Sequence, residues 1–212
     1  MEMGRPLAVV TSSVDGDVLR ALALAEQDFT PGAVHALLNR YSVAGVRHSL
    51  DRLAEQGIVT RRPAGRAYLF GLNREHLAAD PIIALARTRE RLLARLTEFV
   101  APWREPAVYG ALFGSAARAD HRADSDLDIL LVHQLEHDSD LWDQQVMDLS
   151  RAATAWTGND ARVLGYGTGE VFDDDPPDRV LHDAATDGLH FAGDPAWLRQ
   201  ALRAARRHRQ GL

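Results

Sequence analysis

The sequence predicts an α+β chain of two modules joined by a helix. Residues 1–75 read as three helices closed by a hairpin, 76–102 as a connecting helix, and 103–212 as a mixed sheet with flanking helices. Three observations predict this. Apolar residues recur at helical spacing in three short segments and then alternate as in strands; a run of about 20 residues after Pro81 keeps the helical spacing; beyond it, apolar strands bracket a further helix. Charge divides with the modules. Residues 31–74 carry seven arginines against Asp51 and Glu55, whereas 101–212 hold 11 arginines and 19 acids.

Composition sets bounds on the chemistry. With 212 residues, 46% hydrophobic, 25% charged and 9 prolines, the chain belongs among folded globular proteins. Cysteine is absent, which excludes disulfides, thiolate nucleophiles and zinc–thiolate sites. All 24 basic residues are arginine, so no lysine is present to bind phosphate, form a Schiff base or carry a nucleotide. Any phosphate must meet arginine, backbone amides or metal. Every apolar stretch is broken before the ~18 residues a membrane span needs, and Met1-Glu2 precedes no apolar signal core. The expectation is a cytoplasmic protein without a membrane partner.

The first helix is expected from Val14 to about Ala25, its apolar face Val14, Val18, Leu19, Leu22 and Ala25, with Ser13 as N-cap. Thr30-Pro31 starts the second, Thr as cap and Pro in the first turn. Ser42 starts the third, whose apolar positions Val43, Val46, Leu50 and Leu53 are spaced three or four apart, whose outward positions include Arg47, His48, Asp51 and Arg52, and which ends at Gly57. Ile58–Arg62 and Arg66–Phe70 then read as a hairpin turning at Pro63-Ala64-Gly65.

This order, and the phrase Ser42 to Val59, resembles the winged helix-turn-helix of bacterial transcription regulators. The resemblance covers residues 14–72. It implies that the third helix enters the major groove of double-stranded DNA while the hairpin touches its backbone or minor groove, making Arg47, His48, Arg52, Arg61, Arg62 and Arg66 the candidate contacts. Such modules also serve in protein association, and surface arginines are commonly just solvated.

Asp80 and Pro81 open the connecting helix, Ile82 to Val100, and Pro102 ends it. It reads equally as a spacer or as a homodimer seam.

In residues 106–133 an apolar strand, Val108–Phe113, runs into Gly114-Ser115. A short helix carrying Arg118 follows, and then a second apolar strand, Leu127–Val132, is flanked and entered by Asp126 and Asp128. Glycine lets a phosphate approach the backbone, and the serine hydroxyl and the first-turn amides add donors. Two aspartates two apart on a strand face the same way and can share hard magnesium ions.

The stretch Gly114-Ser115, ten residues, Asp126-Leu127-Asp128 resembles the signature of the DNA polymerase β-like nucleotidyltransferases. Arg118 and Ser125 are similar to the minimal bacterial and archaeal members. The resemblance implies transfer of a nucleoside monophosphate from a nucleoside triphosphate, with two magnesium ions held by Asp126 and Asp128 and the phosphates cradled by Gly114 and Ser115. Arg118 either neutralises phosphate or pairs with a nearby aspartate.

Active members add a third carboxylate on a later strand. After a helix expected over Asp140–Trp156, the strand Ala161–Tyr166 holds Arg162 at that position, with Asp160 and the more distant Glu170 as substitutes. Three further features have ordinary readings: the run Asp173-Asp174-Asp175 as the approach to a helix N-terminus or a solvated loop; His121, His133 and His137 as surface or packing residues; and Arg203, Arg206, Arg207, His208 and Arg209 as a basic helix end. Three functions compete: a nucleotidyltransferase, a DNA-binding regulator whose second module senses nucleotide or has decayed, and one half of a toxin–antitoxin pair with a helical partner.

Overall fold

The computed structural model describes residues 1–118, 121–134, 139–173 and 178–209. The chain forms two compact units, one of Glu2 with Gly4–Arg89 and one of Met1 and Met3 with Glu90–Leu212.

In the N-terminal unit a 3-10 turn, Pro6–Val9, precedes α1 (Val14–Ala23), α2 (Pro31–Leu37), α3 (Val43–Glu55), the hairpin strands β1 (Val59–Ala64) and β2 (Ala67–Leu72), and α4 (Ala79–Ala86). The caps follow the chemistry of their residues. Thr30 accepts from Ala33 N at 3.2 Å and Ser42 from Gly45 N at 3.1 Å. Ser13 takes the N-cap position of α1 without a capping bond, its hydroxyl engaging Thr11 and Asp15 instead. Val18, Leu22, Val34, Val46, Leu50, Leu53, Ile58 and Phe70 form one core. Asp17 is buried beside it and satisfied by Arg5 Nε (2.9 Å) and the Tyr41 hydroxyl (2.5 Å).

Two expectations shift. Pro63 pairs with Tyr68 inside the ladder, so the hairpin turns at Gly65-Arg66, where Gly65 takes φ 60°. The connecting helix is two helices, α4 and α5 (Thr88–Val100), separated at Arg87 (φ −94°, ψ 20°). Thr88 Oγ1 donates to Leu85 O at 2.6 Å, a local bond that competes with continuing the helix. Asp80 lies in the first turn of α4, whose N-cap position is Ala78, and Ala78 N donates to His76 Nδ1.

The C-terminal unit continues with β3 (Tyr109–Leu112), α6 (Gly114–Arg118), β4 (Leu127–His133), α7 (Ser139–Thr157), β5 (Ala161–Gly167), α8 (Thr168–Asp173), α9 (Arg179–Asp187), β6 (Leu189–Gly193) and α10 (Trp197–Arg209). The sheet order is β5-β4-β3-β6, with β4 and β5 parallel and the other pairs antiparallel. Alternation along β4 divides the core. Leu127, Ile129 and Leu131 pack with Leu92 and Leu96 of α5 and with Trp142, Leu149 and Ala153 of α7. Leu130 and Val132 face the other way, toward Leu181 of α9 and Leu198 and Ala201 of α10. Asp128 shares this second face, because it lies an even number of residues from both. Among the described residues no helix is long and apolar enough to cross a membrane.

Candidate functional site

The Gly-Ser turn and the Asp-x-Asp strand meet at the head of the β3–β4 pair. Phe113 N donates to Asp128 O at 3.0 Å, which seats the turn after β3 against β4. Gly114 then adopts φ 68°, and a Cβ built on it would lie 2.7 Å from Asp128 Oδ2. A side chain here is therefore disfavoured twice, by backbone conformation and by the carboxylate it would strike. Ser115 is half-buried and Arg118 exposed on the single turn of α6.

Asp126 and Asp128 are both half-buried. Burial pushes the Asp128 carboxyl above its ordinary range and the Asp126 charge adds to the shift, with Arg162, His121 and Arg118 opposing it. Asp128 sits beside Arg162 in the parallel β4–β5 register. Arg162 Nη1 bonds Asp126 Oδ2 at 2.8 Å, and its Nε lies 3.6 Å from Asp160 Oδ2. Asp160 is 70% exposed, and among the described residues no three His, Asp or Glu groups come together as a metal site. Glu170 accepts from Gly167 N at 2.6 Å, capping α8.

Two residues that fix the loop before Asp126 carry weight the sequence reading did not give them. Asn159 is 2% exposed; its Nδ2 donates to Ser125 O (2.9 Å) and Ala123 O (3.0 Å), while its Oδ1 accepts from Met1 N. The Gly158-Asn159 pair after the helix is the signal that could have marked it, since Gly158 takes φ 72° just past the end of α7. His121, expected at the surface or in packing, is 3% exposed, with Nδ1 3.1 Å from Met1 O and Nε2 3.2 Å from Asp126 O. Both partners are carbonyl oxygens, so a neutral ring donates to one only.

Of the other sequence candidates, His137, Asp174, Asp175, Pro176 and Pro177 lie outside the described residues. Arg203, Arg206, Arg207 and His208 are exposed on α10.

In the N-terminal unit the six basic candidates divide. Arg52 pairs with Asp15 at 2.5 Å, and Ser49 bonds the same carboxylate, tying α3 to α1. Arg62 pairs with Asp28. Arg61 lies 3.4 Å from Asp51 and stacks 3.8 Å over the Tyr68 ring. Arg47 and His48 on α3 and Arg66 at the hairpin tip are exposed and make no ion pair among the described residues.

No protein-family model matches the sequence, and no curated protein matches it. Solved structures give a partial likeness. A mutant of the MntA–HpeT toxin–antitoxin is 13% identical, covering 56% of this chain and 87% of that one at TM-score 0.39. A toxin–antitoxin structure with AMP-PNP is 17% identical (57% and 87%, TM-score 0.38). A complex of tri-AMPylated Shewanella oneidensis HEPN toxin with MNT antitoxin is 12% identical (58% and 87%, TM-score 0.38). The likeness is distant, and the functional reading stands on side-chain geometry.

Proposed function

We propose that the C-terminal unit transfers a nucleoside monophosphate from a nucleoside triphosphate to an acceptor. The observation that carries this reading is the contact of Gly114 with Asp128. A glycine turn with no room for a side chain lies against a half-buried aspartate, and Asp126 immediately precedes the same strand, so phosphate and metal ligands converge on one spot. Hard carboxylate oxygens suit magnesium, and a cation would relieve the repulsion that helps raise Asp128. The donor set therefore fits an ion held by Asp126 and Asp128. Bound there with the triphosphate, magnesium would neutralise charge on the phosphate oxygens during in-line displacement.

The chain's own groups would do the rest. Gly114 admits a phosphate to the backbone, the Ser115 hydroxyl donates to it, and Arg118 and Arg162 bring positive charge. No carboxylate among the described residues stands ready as a base, since Asp160 points to Arg162 and solvent and Glu170 caps α8. The acceptor's proton would leave to solvent or to the substrate's own phosphate.

The test is transfer of label from α-phosphate-labelled nucleoside triphosphates, with magnesium, to protein and RNA fractions. The wild type should label an acceptor and Asp128→Ala should not. Equal labelling by the variant would sink the assignment.

A second reading, a DNA-binding regulator whose C-terminal unit senses a nucleotide without transferring it, is favoured by Arg162 standing where a third acid is expected. Under either reading the N-terminal unit would contact double-stranded DNA in the manner of a winged helix, through Arg47, His48 and Arg66, the candidates not engaged with acids.

A further inference from the structure

We propose, resting on the nucleotidyl-transfer reading, that Arg162 supplies the positive charge a second divalent cation would otherwise bring, so that the site binds one metal ion together with one guanidinium.

Strand register is the first ground. Arg162 stands opposite Asp128 on the neighbouring parallel strand, and opposed residues share a face of the sheet. It therefore lies on the carboxylate side. A two-ion site places its cations roughly 3.5–4 Å apart, and an acid at the Arg162 position would help to hold the second of them. Here the far side offers a permanent cation, already 2.8 Å from Asp126 Oδ2. An ion approaching that oxygen meets the guanidinium's charge, whereas Asp128 makes no bond with Arg162.

Charge at the site is the second ground. Asp126, Asp128 and Asp160 surround Arg162, yet no three acidic groups come close enough together to form a metal cage among the described residues. Asp160, the nearer of the two acids that could have rebuilt the missing ligand, is turned toward Arg162 Nε, and Glu170 caps α8. Arginine thus occupies the space between two carboxylates where a cation is needed.

Reach is the third. The Arg162 side chain is 63% exposed and carries five N–H donors in a planar fork. One edge can keep Asp126 while another meets phosphate oxygens, which guanidinium binds in paired hydrogen bonds. Arg162 is then both the counter-charge of Asp126 and a phosphate ligand.

The test titrates Mn2+ into the full chain, followed by electron paramagnetic resonance, with and without non-hydrolysable α,β-methylene analogues of the four common nucleoside triphosphates. One Mn2+ per chain is expected in the presence of the preferred analogue, and two in Arg162→Glu. Analogue affinity at saturating Mn2+ should fall at least about tenfold in Arg162→Gln and recover in part in Arg162→Lys. Melting curves of the three variants confirm that each is folded, and Arg162→Lys keeps the test open if either other variant is not. Two Mn2+ in the wild type, or unchanged analogue affinity in Arg162→Gln, would overturn the inference while leaving the transfer reading standing. A wild type that binds neither Mn2+ nor any analogue overturns both.

Discussion

Gly114 and Asp128 fit each other so closely that a single added methyl on Gly114 would stand 2.7 Å from the Asp128 Oδ2 atom. The relationship explains why glycine follows β3: the turn needs φ 68° and the carboxylate needs the space. Gly114→Ala should cost about 1–2 kcal/mol for the left-handed backbone alone, with the collision in addition. The expected result is a melting temperature lower by several degrees and weaker triphosphate binding, read by thermal denaturation and equilibrium dialysis. An unchanged melting temperature would mean that the turn and the carboxylate are not in contact.

Asp128 gives a pH dependence of definite sign. Its folded-state carboxyl is raised by burial and by Asp126, so the ionised form is penalised in the folded protein. Its contribution to stability is present below the unfolded carboxylate range, about pH 4, and is lost as pH rises through the higher folded value. Asp128→Asn should therefore melt above the wild type at neutral pH, with the gap closing as pH falls to 4 and below. A gap that widens on acidification would contradict the assignment.

The division among the N-terminal arginines can be read from salt dependence. Arg47 and Arg66 make no ion pair among the described residues, so the Arg47→Ala, Arg66→Ala double variant should flatten the slope of log affinity for duplex DNA against log salt by about 1.8 if each meets one phosphate. Arg52→Ala should leave that slope alone and lower stability by up to about 1 kcal/mol through its lost partner Asp15. The opposite assignment of effects would reverse the reading of α3.

Asn159 should be costly to remove although it touches no expected ligand. Asn159→Ala removes the buried amide that donates to the carbonyls of Ala123 and Ser125, at about 1–3 kcal/mol for a group that water does not reach. The loop leading to Asp126 should loosen with it, measured as faster amide hydrogen exchange over residues 121–126. Unaltered exchange there would make Asn159 a packing residue only.

Much of the fold was legible because the decisive signals are local. Thr30-Pro31 and Ser42 announce helix starts through their own backbone chemistry, and the short, mainly apolar runs at 108–113 and 127–132 suit buried strands. The spacing of Gly114-Ser115 from Asp126 and Asp128 also carried the site, since a short helix returns the chain to the same end of the sheet. What escaped depends on residues far apart in sequence. Arg52 and Arg62 read as outward cations until Asp15 and Asp28 are seen beside them. The position of Arg162 was legible, but its bond to Asp126 required the β4–β5 register. β6 joins β3 across an irregular register between Gly110 and Ala111, a pairing with no local signature. The break at Arg87 has no proline or glycine to announce it, and the Thr88 hydroxyl bonds Leu85 O beside it.

The central claim, a live nucleotide site built on Asp126 and Asp128, is tested most directly by thermal denaturation with each of the four triphosphates and magnesium, comparing the wild type with the Asp126→Ala, Asp128→Ala double variant. At 100 times its dissociation constant a ligand stabilises by about 2.7 kcal/mol, a shift of several degrees for a chain of this size. The account predicts a magnesium-dependent rise for at least one triphosphate in the wild type and none in the variant. No shift with any triphosphate, or the same shift in both proteins, would contradict it.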